Sequence, residues 1–145
     1  MNTIDLSISP DEVDAHEALA DWSWLLTEPL QPIFLSKFGD WFFFNARGEV
    51  EMLDTLEGEL RVVAWSDREF NALAKTPDKQ SRWFLDGLVY RMMNDGVLLE
   101  RGQCYGFKVH PALGGAFDAG NVGVFSVCVY NSLCGQLLRQ LKGLG

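Results

Sequence analysis

The sequence has few cysteines and few histidines. Its 145 residues include three cysteines and two histidines, and no two cysteines are spaced as Cys-x-x-Cys. Because a structural zinc site draws four ligands from such residues at short spacings, we expect no metal and no cofactor. The odd number of cysteines is untypical of a disulfide framework, so we expect Cys104, Cys128 and Cys134 to be reduced thiols.

Positive charge is also scarce. The chain carries 12 Lys and Arg residues against 20 Asp and Glu residues, which gives a net charge of −8. Direct binding of nucleic acid is not expected, since contacts with phosphates require clustered cations. A basic protein, such as a nuclease with a cationic substrate groove, suits this electrostatic field better. Acidic proteins are common, however, so the charge alone leaves the partner open.

Long apolar runs are missing as well. No stretch reaches the roughly 20 residues that a membrane-spanning helix needs, and the first residues lack the basic and apolar regions of a signal peptide. We therefore expect a cytoplasmic protein that does not contact membranes. The length and the 48% hydrophobic content suit one packed domain over residues 1–145.

The apolar pattern between residues 33 and 65 predicts strands separated by turns. The predicted strands are 33–38, 41–44, 49–54 and 60–65. The run Trp-Phe-Phe-Phe at 41–44 does not alternate, so we expect a strand that is covered on both faces. A further strand is predicted near 121–129. Together these features predict an α+β fold, in which helices pack on an antiparallel sheet.

Capping residues predict four helices. These run from 9 to about 27, from 66 to about 74, from 76 to about 94, and from 131 or 132 to about 142. In the last helix, leucine spacing predicts that the buried face consists of Leu133, Leu137, Leu138 and Leu141.

The glycine-rich segment (residues 102–115) shows neither helical nor strand periodicity. It contains four glycines, one proline and two aromatic residues. Glycine is expected where φ is positive or where two backbones approach closely, and aromatic residues are too apolar for a solvated loop. We expect an ordered connection in which Tyr105 and Phe107 are fixed to the body of the protein. Long irregular connections of this kind are often functional.

The same segment carries a resemblance to a known family. The residues GQCYGFKVHPALGG, then Phe117, Asn121 and SLCGQLLRQL at 132–141, resemble the C-terminal domain family of type VI secretion immunity proteins. A weaker similarity begins at Phe38, in FGDWFFFNARGEVEMLDT. That family is often found behind a GAD-like domain and is associated with nuclease effectors. One departure is Tyr130, which stands before the predicted last helix where the family often has His.

The resemblance implies an immunity protein that neutralises a cognate effector toxin by occluding its active site or substrate groove. The residues that we expect to contact such a partner are acidic or aromatic. They are Asp14, Glu17, Asp21 and Trp24 on one flank of the first predicted helix, with Glu57 and Glu59 at a sheet end as secondary candidates. The alternative is an ordinary solvated helix face with Trp24 covered by a neighbouring loop.

No catalytic set is recognisable, so we expect a protein that is not an enzyme. Cys104 and His110 are the best nucleophile and base candidates, but no orienting Asp or Asn stands at a recognisable spacing. Two other functions remain open at this point. One is a regulatory or scaffold module related to SUKH-type domains, and the other is a hydrolase that uses Cys104.

Overall fold

The computed structural model describes residues 6–143 and contains two antiparallel sheets with five α-helices. The larger sheet has the strand order β1-β2-β3-β4-β5, and the smaller one pairs β6 with β7. The strands are Ser7–Ile8 (β1), Gln31–Ser36 (β2), Trp41–Phe44 (β3), Val50–Asp54 (β4), Glu59–Ala64 (β5), Gln103–Phe107 (β6) and Val122–Ser126 (β7). The α-helices are Ala15–Leu19 (α1), Asp67–Ala74 (α2), Pro77–Phe84 (α3), Asp86–Asn94 (α4) and Val127–Leu141 (α5). The predicted α+β class and the meander of β2 to β5 are confirmed.

Strand β3 lies in the middle of the large sheet and is covered on both faces, as its unbroken apolar run predicts. Phe42 faces the first core cluster, where its ring centroid lies 5.4 Å from that of Phe70 on α2. Trp41 and Phe43 face the second cluster together with Trp22 and α5. The large sheet is therefore sandwiched between α2 to α4 on one side and the N-terminal segment with α5 on the other.

The single helix predicted for residues 9–27 is wrong. Ser9 caps only a 3₁₀ turn at Pro10–Glu12, and Val13 then adopts an extended conformation. Asp14 restarts the chain as the N-cap of α1, because its side chain accepts a hydrogen bond from the backbone N–H of Glu17. A second capping residue thus competes with the first, and the segment becomes short helical pieces that end in a 3₁₀ turn at Ala20–Trp22.

The single helix predicted for residues 76–94 is also divided. Leu85 has a φ of 49°, a left-handed conformation that ends α3 and precedes α4. Such a conformation costs energy for a residue with a side chain. Here Leu85 packs against the first core cluster, so burial of its side chain offsets that cost.

The third difference concerns the end of the chain. The glycine-rich segment contains strand β6, and β7 pairs with it instead of joining the large sheet. The strand predicted near 121–129 ends at Ser126, which caps α5, so the last helix begins before Asn131 and Ser132. The buried face of α5 is Val127, Tyr130, Asn131, Cys134, Gly135 and Leu138. Leu133 and Leu141, predicted to be buried, are 54% and 52% exposed.

Tyr130 lies inside α5 and joins this helix to the small sheet. Its hydroxyl oxygen accepts a hydrogen bond from the backbone N–H of Phe107, at 3.1 Å. Its ring lies against Gly106, where an added Cβ would come within 2.4 Å of a ring carbon. Glycine is therefore required at this position of β6 for the close approach of the helix and the strand.

We predict that Gly106→Ala destabilises the protein by about 1–3 kcal/mol, since the added methyl forces the buried Tyr130 ring to move. Gly87→Ala is the matched control, because nothing lies within 4 Å of its added Cβ in α4. This control should be neutral or stabilising by up to about 1 kcal/mol. Urea unfolding measures both changes. Equal stability of the two variants would contradict the close packing of α5 on β6.

Candidate functional site

Three of the predicted contact residues flank helix α5. Asp14, the N-cap of α1, and Glu17 within α1 are exposed, and Asp21 lies half-buried in the following 3₁₀ turn. The carboxylate of Asp21 accepts hydrogen bonds from the Ser132 hydroxyl and, at 3.3 Å, from the Gln136 side chain. Asp14, Glu17 and Asp21 thus form a strip of carboxylates beside α5, which we call the acidic strip. Asp21 is held in place, whereas Glu17 makes no side-chain hydrogen bond or ion pair with any described residue.

Trp24 is partly packed. Its indole N–H donates to the backbone carbonyl of Asp21 at 2.9 Å, and its ring stacks on Trp22 with centroids 5.5 Å apart. Trp22 is fully buried in the second core cluster. Trp24 therefore supports the acidic strip from one side, and the part of its ring that remains exposed is fixed in orientation.

The secondary candidates Glu57 and Glu59 lie elsewhere. Glu57 is exposed in the turn between β4 and β5, and Glu59 forms an ion pair with Arg61 at 2.7 Å. The neighbouring Gly58 approaches Leu138, near the C-terminal end of α5. These two carboxylates thus belong to a different turn from the acidic strip, and Glu59 shares the cation of Arg61 with Asp54.

Val129 and Leu133 form an exposed apolar ridge along α5, with 52% and 54% of their surfaces accessible. One side of the ridge borders the acidic hollow, a depression of about 360 Å³ that includes Glu17 and Asp21. Leu133 also lines a second depression of about 290 Å³, which we call the apolar groove. One leucine therefore joins an acidic and an apolar region into one continuous surface.

The apolar groove lies between α5 and the chain that follows β6. The residues that line it are Phe107, Lys108, Val109, His110, Leu113, Phe125, Tyr130, Leu133, Cys134 and Leu137. Val109 and Leu113 are 50% and 58% exposed and form its outer wall. The sequence pattern does not predict this groove, because it places Leu133 and Leu137 on the buried face of the last helix. The signal that could have indicated the groove is the set of apolar residues in the glycine-rich segment.

The outer wall of the groove is held by Asn121. Its amide group donates to the backbone carbonyls of Val109 and Ala116, and its side-chain oxygen accepts from the Val109 N–H at 2.9 Å. Gly115 allows the chain to fold back, because an added Cβ would lie 1.7 Å from the Val109 carbonyl oxygen. The glycine-rich segment is therefore an ordered structural element, as expected, although part of it is a strand.

His110 lies under the groove in its neutral form. Burial lowers the pKa of its imidazole. Nδ1 accepts a hydrogen bond from the Ala112 N–H at 3.0 Å, so the proton is on Nε2, which donates to the Thr55 carbonyl at 3.1 Å. Both ring nitrogens are thus occupied by backbone partners. The histidine fixes the start of the wall to the turn after β4.

Asp40 lies behind this contact and is buried. Its carboxyl group accepts hydrogen bonds from the backbone N–H and hydroxyl of Thr55, and it also contacts the Ser36 hydroxyl. Loss of solvation, reinforced by the nearby charge of Asp54, raises its pKa to about 7. Asp40 therefore holds the turn before β3 to the end of β4.

Cys104 and His110 do not form a catalytic pair. The Cys104 thiol is buried in the second core cluster, and loss of solvation raises its pKa well above the ordinary range. Both nitrogens of His110 bind backbone groups instead. Burial also raises the pKa of Cys134, to about 12. Within residues 6–143, no group of His, Cys, Asp and Glu side chains is arranged to hold a metal ion.

Comparison with known families identifies the chain. A family model described as "T6SS immunity protein Tdi1, C-terminal" matches residues 66–138, which is half of the chain. The chain therefore belongs to this family of type VI secretion immunity proteins, and the family expected from the sequence resemblance is confirmed. Membership supports an immunity role and implies an effector as partner. The matched range includes every residue that lines the apolar groove.

A solved structure has a similar fold. It is "Crystal structure of Atu4351 from Agrobacterium tumefaciens", with a TM-score of 0.58 and 15% sequence identity. The likeness covers 86% of this chain but 65% of the solved chain, so this chain spans less than two thirds of that protein's length. At this identity the likeness supports the fold. No curated protein matches the sequence, and no helix between residues 6 and 143 has the length and apolar character to cross a bilayer.

We predict that Asp40→Asn changes the pH dependence of stability. The native state keeps the Asp40 proton up to a pKa of about 7, whereas the unfolded chain loses it near the ordinary pKa of an aspartic acid, about 3.9. The contribution of this carboxyl group to the free energy of unfolding therefore falls as the pH rises from 4 to 7, by up to about 1.4 kcal/mol per pH unit. The variant lacks this loss, so its stability relative to the natural protein should rise over that range. Urea unfolding at several pH values measures the difference, and a constant difference would contradict the prediction.

We also predict that one of the three thiols reacts in the folded protein. Cys128 is partly exposed on α5, whereas Cys104 and Cys134 are buried. A thiol reagent at pH 8 should label Cys128 first, and Cys128→Ser should remove that reaction. Mass spectrometry locates the label. Rapid labelling of Cys104 in the folded state would show that its burial is wrong and would restore it as a candidate nucleophile.

Proposed function

We propose that this immunity protein acts in the cytoplasm by binding a basic, nuclease-type effector and covering its substrate groove. The observation that carries this proposal is the position of Glu17 and Asp21 beside the exposed ridge of Val129 and Leu133. An interface that neutralises an enzyme needs an apolar centre for affinity and a charged rim for orientation. This surface offers both within one region.

The electrostatics favour a cationic partner. The chain has a net charge of −8, and its acidic strip includes Glu17, whose carboxylate is available for a cation. A nuclease binds phosphates through clustered Lys and Arg side chains. Carboxylates that occupy those positions exclude the nucleic acid directly. The field of the acidic protein also accelerates the encounter, an effect that weakens as salt increases.

The proposed contact surface consists of Asp14, Glu17, Asp21 and Trp24 with the apolar ridge, and Glu57 and Glu59 remain secondary candidates. Specific interfaces bury roughly 800 Å² on each partner. The strip and the ridge run side by side along α5, a helix of 15 residues.

We predict that co-expression with the effector encoded beside this gene restores growth, and that the two proteins purify as a complex. Glu17→Lys should weaken that complex at least tenfold, roughly 1.4 kcal/mol, because it places a like charge opposite the cationic partner. The loss should come mainly from slower association and should shrink at high salt. Titration calorimetry and stopped-flow kinetics at two salt concentrations measure these effects.

Glu57→Lys makes the same change of charge at a secondary candidate, in the exposed turn between β4 and β5, and so compares the two candidate regions. We expect it to weaken binding less than threefold. A larger effect at Glu57 than at Glu17 would move the contact surface to the sheet end. The absence of both rescue and complex would reject the effector-binding function and favour a regulatory or scaffold role.

A further inference from the structure

We propose that the apolar groove is the anchor site of the complex and receives one large apolar side chain that projects from the cationic surface of the effector. This inference rests on the proposed function, because it specifies the chemistry of the same partner. It adds a second site of contact, between α5 and the wall that carries Val109 and Leu113.

The polar atoms of the groove favour an apolar occupant. The Tyr130 hydroxyl oxygen accepts from the backbone N–H of Phe107, and both nitrogens of His110 are bonded to the backbone. A site for a polar metabolite needs polar groups that converge on the ligand. In this groove those groups are already satisfied, and Lys108 is the one charged side chain in its lining. Recognition therefore depends on shape and on the removal of apolar surface from water.

The size of the groove is that of a side chain. Its volume is about 290 Å³, at the lower limit of the roughly 300–1,000 Å³ found for drug-sized ligands. An apolar cavity of roughly 150 Å³ accommodates a benzene ring. The groove therefore has space for one phenylalanine, leucine or methionine side chain with part of its backbone.

The acidic hollow beside the groove favours a side chain that comes from a basic surface. Leu133 lines both the apolar groove and the acidic hollow, which contains Glu17 and Asp21. Only Leu133 thus separates an occupant of the groove from these two carboxylates. Lys or Arg residues next to the anchor in the effector would meet them, and an acidic partner would be repelled.

The wall of the groove is held by hydrogen bonds within the glycine-rich segment and to Asn121. Asn121 binds the chain at Val109 and Ala116, and the Gly115 N–H donates to the His110 carbonyl at 3.2 Å. Little conformational entropy is lost when such a site is filled, so more of the contact energy appears as affinity. A central apolar pocket with fixed walls is also where most interface energy is concentrated.

The test compares polar substitutions on the two sides of the groove, α5 and the outer wall, with a control on α5. Leu133→Gln and Leu113→Gln replace groove residues without changing the charge, and Leu141→Gln is the control because Leu141 is 52% exposed on α5 and does not line the groove. All three are surface positions, so the free energy of unfolding of each variant should lie within about 0.5 kcal/mol of that of the natural protein. The probe is the effector encoded beside this gene, and the readout is the dissociation constant at two salt concentrations.

We expect each groove variant to weaken binding at least tenfold through faster dissociation, with an unchanged salt dependence, and the control to weaken it less than threefold. Equal binding by all four proteins would overturn the anchor site and leave the proposed function standing. Equal weakening by Leu133→Gln and Leu141→Gln would also overturn it, since the effect would then belong to the whole helix. If the natural protein does not bind the effector, both proposals fail together.

Discussion

The placement of helix α5 depends on the buried side chain of Asn131. Its amide donates to the Gly39 carbonyl at 2.9 Å, and its side-chain oxygen accepts from the indole N–H of Trp41. The backbone carbonyl of the same residue accepts from the indole of Trp22, at 2.9 Å. A buried polar group without a partner costs roughly 1–3 kcal/mol. Only one orientation of α5 about its own axis satisfies these buried groups, so the bonds favour that orientation on the sheet. In this orientation Tyr130 and Cys134 face inward, and Val129 and Leu133 are exposed.

Small residues at the contacts let the surrounding segments approach the helix. Gly135 accommodates the backbone carbonyl of Asp21, from which an added Cβ would be 2.7 Å away. Gly106 accommodates the ring of Tyr130 in the same manner. The first contact brings the acidic turn against one side of α5, and the second brings the small sheet against the other. The acidic hollow and the apolar groove therefore exist because glycine occupies both positions.

The division of this surface suits inhibition by binding. The acidic side offers long-range attraction and orientation, which depend on salt, whereas the apolar side offers contact energy that does not. The reactive groups nearby are held in inactive forms, since the thiol of Cys104 is buried and His110 is neutral with both nitrogens bonded. The residues of the glycine-rich segment serve two purposes. Its glycines fix the path of the chain, and Val109 and Leu113 face the groove.

Much of the local structure follows from the sequence. The apolar run at β3, the capping signals at Ser66 and Thr76 and the resemblance in the glycine-rich segment led to the strands, two helix starts and the family. The two helices predicted to be continuous are divided because a single N-cap does not determine where a helix ends. A second cap at Asp14 and a left-handed Leu85 interrupted two helices that the pattern alone would continue.

The sequence by itself determined the α+β class, the meander and the acidic character of the protein, because those depend on local periodicity and composition. Only the tertiary structure decided which face of α5 is buried. A polar Asn131 and a small Gly135 lie inward while Leu133 faces solvent, which reverses the order expected from hydrophobicity. The physical reason is that hydrogen-bond partners and space for close approach come from residues that are distant along the chain, at Gly39, Trp41 and Asp21.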